Sequence, residues 1–131
     1  MRLLKTEKIE PGFVEARVKK DLVRIQIEDV THFHASEKYV TAYSAGRELL
    51  FNVPLKAIAE FYGDRFIFVH RNALVSRERI QREGRGRISE PLVYVRGVGA
   101  PLAVSRRCLP AVRAVLRQAC EAAAARVEQG E

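Results

Sequence analysis

Three side chains that hydrogen-bond in flat or forked geometry stand together at His70-Arg71-Asn72. An arginine fork matches O6 and N7 of guanine, and an asparagine amide, with one donor and one acceptor, matches N6 and N7 of adenine. The triplet follows Phe66-Ile67-Phe68-Val69, which reads as a half-buried β-strand delivering it. A solvated hairpin corner accounts for the same residues, so the triplet alone leaves both readings open.

Other candidate chemistry is weaker. His32 and His34 are two apart and share one face of a strand, with His70 as a third imidazole. No acid joins them at matched spacing, so no metal is expected. Gly84-Arg85-Gly86 and Gly97-Val98-Gly99 lack the rest of a phosphate-binding loop and read as turns. No serine or cysteine pairs with a histidine as a nucleophile, and no carboxylate pair stands out in an apolar setting. An enzyme, and with it a cofactor, is not expected.

The balance of charge says more. The chain has 131 residues with 23 Lys and Arg against 16 Asp and Glu, a net charge of +7 and a pI near 9.8. A polyanion is the implied partner, either a phosphate backbone or an anionic membrane surface. The densest positive stretch is Arg77, Arg79, Arg82, Arg85 and Arg87, partly offset by Glu78 and Glu83. It fits a solvated hairpin and a phosphate contact about equally. Hydrophobic content of 47 % excludes general disorder, and the length suits one domain with its own core. No apolar run is long enough to span a membrane, and Met1-Arg2-Leu3-Leu4-Lys5 is too short for a signal peptide. Cys108 and Cys120 fall on one predicted helix, too far apart to bridge. These features point to the cytoplasm.

The elements that must carry these residues are mostly strands. Phe13 to Val18 and Leu22 to Ile27 alternate around a turn at Lys19-Lys20-Asp21 and read as a hairpin. Val30 to Ala35, Tyr39 to Tyr43 and Glu48 to Phe51 follow, the last two joined tightly through Ala45-Gly46. Asn52 then suits a helix cap with Pro54 in the first turn; Leu55, Ile58, Ala59 and Tyr62 form one face, and Gly63 is the stop. Strands resume at Phe66 to Val69, Leu74 to Ile80, Leu92 to Arg96 and Leu102 to Val104. From Ser105, a natural N-cap, the pattern is helical; Pro110 delays the regular helix to Cys108 or Leu109, and fraying is expected after about Ala122.

Four blocks, in order, carry a resemblance: Ser36-Glu37-Lys38-Tyr39-Val40-Thr41, Pro54-Leu55-Lys56, His70 to Val75, and Val104-Ser105-Arg106-Arg107. From about Ile9 to Ala119 the chain resembles the LytTR DNA-binding domain, in the branch of the alginate regulator. The resemblance implies a mostly β fold, an elongated set of small antiparallel sheets with short helices and a C-terminal helix, gripping one face of duplex DNA through loops at strand ends. It puts Lys38 and Tyr39 on one contacting loop, Arg71 and Asn72 on a second, and Arg106 and Arg107 on a third. A helix start at Ser105 favours a phosphate beside the last pair on physical grounds as well. His70, Arg77, Arg82, Arg85 and Arg87 are candidates for phosphate contact. Phe68 and Ser76 depart from the family pattern, where a basic residue and an asparagine are usual.

The resemblance further implies a sequence-specific regulator of transcription that binds direct-repeat half-sites as a dimer on double-stranded DNA. Relatives commonly carry a receiver domain, for which the residues before Ile9 leave no room. The expected division is an extension or linker over 1–8, the DNA-binding domain over 9–119 and a helical tail over 120–131. An RNA- or ribosome-associated β module using the same basic surface is the other reading, and stacking aromatics would favour it.

Overall fold

The computed structural model describes residues 8–130, with side chains described for 9–17 and 19–121. Among the described residues, eleven strands form three antiparallel sheets. Strands β1 (Lys8–Ile9), β2 (Phe13–Val18) and β3 (Asp21–Gln26) make the first, in that order. Strands β4 (Val30–Ala35), β5 (Val40–Ser44), β6 (Arg47–Phe51), β7 (Phe66–His70) and β8 (Ala73–Ser76) make the second, in the order β6-β5-β4-β8-β7. Strands β9 (Ile80–Arg85), β10 (Pro91–Val95) and β11 (Leu102–Ala103) make the third, ordered β11-β10-β9. Helix α1 (Leu55–Tyr62) lies between β6 and β7, and α2 (Leu109–Gly130) ends the described chain. The mostly β class and the terminal helix agree with the expectation.

Most of the expected extension, residues 1–7, lies outside the described residues, whereas Lys8 already pairs with Glu15. The fraying expected beyond Ala122 concerns side chains outside them too, and the backbone is helical to Gly130.

Strands β7 and β8 hold the molecule together because they are apolar on both faces. Phe66 and Leu74 enter a first core with Val14, Ile25, Phe33, Leu49, Phe51 and the buried residues of α1; Phe68 packs against it. Val69, Ala73 and Val75 enter a second core with Val93, Val95, Val104 and Val112 of α2. The strand read as half-buried is therefore covered on both sides, and a continuous apolar run is what such a central strand needs.

Local differences from the sequence reading have local causes. Pro54, not Asn52, occupies the cap position of α1, and its carbonyl accepts the N–H groups of Ala57 and Ile58 at 3.0 and 3.2 Å. Leu55, Ile58 and Tyr62 are buried as expected, and Gly63 ends the helix at φ 59°. The stretch Leu74 to Ile80 is not one strand. A 3-10 turn at Arg77–Arg79 interrupts it and sends β9 into another sheet. Similar turns at Ile27–Asp29 and Gly63–Arg65 precede β4 and β7. Gly84 and Arg85 belong to β9, so the turn spans only the residues from Gly86 to Glu90. Cys108 sits one residue ahead of α2, and both cysteines are free.

Candidate nucleic-acid interface

Strand direction gathers the loops. β4 and β7 start from 3-10 turns and end at Ala35 and His70, while β8 leaves in the opposite sense from Ala73. The connections β4–β5 and β7–β8 thus emerge at one end of the five-stranded sheet. Backbone bonds extend the row. The Ala35 N–H donates to Asn72 O at 2.8 Å, the Ser105 N–H to Val69 O at 2.8 Å, and the Val104 N–H to Pro91 O at 3.1 Å. The β4–β5 loop, the β7–β8 turn, the β11–α2 turn and the β9–β10 hairpin therefore stand side by side.

Each loop is stiffened by its own short bonds. Ser36 donates to Tyr39 O through its N–H at 2.8 Å and its hydroxyl at 3.1 Å, closing the segment that presents Lys38. Ser105 caps the entry to α2: its Oγ accepts the Cys108 N–H at 3.2 Å and its carbonyl the Leu109 N–H at 3.1 Å. His70 Nδ1 accepts the Asn72 N–H at 3.2 Å. An accepting Nδ1 leaves the proton of a neutral ring on Nε2, which is then a donor.

Lys38, Arg71, Arg106 and Arg107 are exposed and make no hydrogen bond or ion pair among the described residues. Tyr39 is 40 % exposed, a large area for an aromatic ring. A crevice of about 670 Å³ joins two of the loops and is lined by Lys56, Phe68, His70, Arg71, Ser105, Arg107 and Cys108. A smaller one, about 240 Å³, lies between Ser36–Tyr39 and the residues leading into α1. Lys56 is the cation that sequence reasoning missed at this surface. Its position off the apolar stripe of α1 marks it as outward-facing, but only the seating of α1 on the sheet aims it at Arg71 and Arg107.

The remaining basic candidates divide. Arg77 is not part of the row; it stands at the far end of β8, hydrogen-bonded to Gln118 of α2. Arg82 lies over the Tyr94 ring, 3.9 Å from its centroid, on the hairpin face that also carries Gly84. Arg85 donates to Ser89 O at 3.1 Å, and Arg87 is exposed in the turn. The two glycines allow close approach here. A Cβ on Gly84 would lie 2.7 Å from Tyr94 Cε2, and one on Gly86 would lie 1.9 Å from Glu90 Oε2.

The histidine pair takes no part in a metal cluster: no group of three or more His, Cys, Asp or Glu side chains poised for a metal occurs among the described residues. His32 is stacked on Tyr43, with ring centroids 4.5 Å apart, and its Nδ1 meets Thr31 Oγ1 at 2.9 Å. Burial, with His34 nearby, lowers its pKa to about 4.

A mostly β domain with unpartnered cations along a row of strand-end loops has the form of a nucleic-acid reader. The model of the LytTr DNA-binding domain family matches residues 20–117. The chain belongs to the LytTR family of DNA-binding domains. It is 42 % identical over 106 residues to the positive alginate biosynthesis regulatory protein of Pseudomonas aeruginosa, an alignment covering 80 % of this chain and 43 % of that protein. The chain thus spans less than half the length of this relative. Its fold is similar, with a TM-score of 0.69 and 18 % identity, to the LytTr DNA-binding domain of a protein from Bacillus cereus described as a methyl-accepting/DNA response regulator. That match covers 80 % of this chain and 96 % of the other. No helix among the described residues is long and apolar enough to cross a membrane.

Proposed function

We propose that this chain is the sequence-reading module of a transcription regulator, acting in the cytoplasm by binding duplex DNA without catalysis. The supporting observation is the row of bond-linked loops carrying Lys38, Arg71, Arg106 and Arg107 without internal partners. Long cationic side chains left unpaired along one edge match a regularly spaced polyanion. Arg71 would fork onto a guanine and Asn72 onto an adenine, while Arg106 and Arg107 divide between a base and the phosphates beside the start of α2. Lys38 with Tyr39, Lys56, His70 through Nε2, Arg85 and Arg87 would hold the backbone and set the register. The reading unit is residues 9–119, with 1–8 as linker and 120–131 as tail. Two copies would occupy direct repeats on the DNA.

The RNA reading has little to rest on. Of the aromatic rings, Tyr62, Phe33, Phe51 and Phe66 are buried in the core; at the row Tyr39 is the exposed ring, while Phe68 and His70 are half-buried in the crevice. A duplex enriched by the chain from a random pool should be compared with a scrambled duplex, its single strands and an RNA hairpin across a salt series. The enriched duplex should bind at least about 1,000-fold tighter than the scrambled one, with a log–log salt slope near −0.9 for each phosphate contact. Equal affinity for the two duplexes, or preference for RNA, would overturn the proposal.

A further inference from the structure

The β9–β10 turn places a bare aliphatic side chain where cations would be expected alone. Ile88 is 84 % exposed, far more than Leu22, Tyr39, Leu50 or Phe61. It stands between Arg85 and Arg87 on one side and Ser89 and Glu90 on the other. A single exposed apolar residue on a loose loop would carry no message, but this turn is built. The Gly86 N–H donates to Glu90 O at 2.9 Å and the Ser89 N–H to Gly86 O at 3.0 Å. The Ile88 N–H donates to Glu90 Oε1 at 3.0 Å, and Arg85 reaches Ser89 O. Ser89 itself is left-handed at φ 65°, a conformation that glycine or asparagine would hold with less strain. Glu90 folds its carboxylate over Gly86, where a Cβ would have to displace it. The acid at the tip is thus engaged with the turn's own backbone.

The location supplies the partner. The Val104 N–H bond to Pro91 O sets this hairpin next to the β11–α2 turn, at the same end as the other loops. β10 and β9 lie one and two strands outboard of β11, about 5 to 10 Å along the row. We propose that Ile88 is a wedge for duplex DNA: it enters the minor groove next to the major groove faced by Arg106 and Arg107, and presses between two base pairs. Arg85 and Arg87 lie against the flanking phosphates. Aliphatic side chains used this way partly unstack a base step and kink the duplex toward its major groove. The kink would fall at the flexible steps, pyrimidine followed by purine, and add shape-dependent selectivity outside the bases read by Arg71 and Asn72. The wedge rests on the duplex-reading function proposed above.

The test uses the full chain and the duplex it enriches from a random pool, with 2-aminopurine placed at successive flanking steps and a dye at each end. Binding should brighten 2-aminopurine at one step and bring the ends closer. Ile88→Ser should abolish both signals and raise Kd about 5- to 20-fold, while Ile88→Leu retains them. Unchanged bend and fluorescence with Ile88→Ser would refute the wedge while leaving the duplex-reading proposal intact. Loss of affinity without a 2-aminopurine signal in the parent complex would also refute it, assigning Ile88 to a surface contact. A pool that yields no enriched duplex would remove the wedge together with the function it rests on. Far-ultraviolet circular dichroism checks that each variant is folded.

Discussion

The two ends of the five-stranded sheet use the same kind of side chain in opposite ways. At the end where the 3-10 turns gather, arginines are tied into the protein. Arg79 donates to Glu28 O at 2.8 Å and Arg96 O at 3.1 Å, Arg65 donates to Pro11 O at 3.2 Å, and Arg77 is bonded to Gln118. A cavity of about 370 Å³ there mixes Glu28, Asp64 and Glu78 with Arg65 and Arg77, so its charges largely offset one another. At the loop end, Lys38, Lys56, Arg71, Arg106 and Arg107 have no such partners among the described residues. A charge near +7 therefore overstates what is available to DNA. Some of the arginines serve as fasteners between sheets, and the proposed binding draws mainly on cations that the fold does not tie to another sheet.

The contrast can be broken most strongly at Arg79. Arg79→Ala should lower stability by about 3 kcal/mol, since two charge-assisted bonds that join the turns to the third sheet are lost. Urea unfolding gives that number, and duplex binding measured well below the melting temperature should keep its sequence preference. A change in preference with unchanged stability would reverse the roles of the two ends.

His32 sharpens it through pH. The folded pKa of about 4 lies below the usual 6.5, so the unfolded chain binds the proton more readily. Its contribution is complete above pH 6.5 and is lost as pH falls toward 4. About 2 kcal/mol should disappear across that window. His32→Gln should flatten the decline in thermal stability over the same range; an identical pH profile for variant and parent would rule this histidine out as the cause.

Arg71→Ala should do the converse of Arg79→Ala. Affinity for the enriched duplex should drop by about 1–2 kcal/mol with preference relaxed at one or two base positions, while the melting temperature stays put. Equal losses on enriched and scrambled duplexes would move Arg71 to the phosphate contacts. The smallest effect is expected at Lys56. Lys56→Gln should shift the salt slope by about 0.9 and change no base preference, which a titration on both duplexes will resolve.

Much of the architecture was legible in the residues themselves. β2 and β4 match their expected limits, and the stripe Leu55, Ile58 and Tyr62 with its Gly63 stop is the buried face of α1. These are local matters: alternation, a 3.6-residue period, and a glycine able to adopt positive φ. The candidate site residues Lys38, Arg71 and Arg106-Arg107 are of types suited to phosphates and bases, with the family resemblance needed to choose among the many cations present. The hairpin arginines show where local reading stops. Gly84-Arg85-Gly86 reads as a turn in the sequence, yet Gly84 lies in β9 against Tyr94 and Gly86 meets the Glu90 carboxylate, because a glycine has the same letter whether it confers freedom or admits a neighbour.

Sequence alone determined the class of strands and helices, the excess of positive charge and the identity of the groups able to meet a base edge, since these depend on neighbours along the chain. Only the tertiary structure decided which cations remain unpaired. Arg77 and Arg71 are six residues apart, but β8 runs between them and carries them to opposite ends of one sheet. Lys56 and Ile88 join the loop end through α1 and the third sheet, by contacts between segments far apart in sequence. Partnership is a property of what the folded chain brings alongside, and no local period records it.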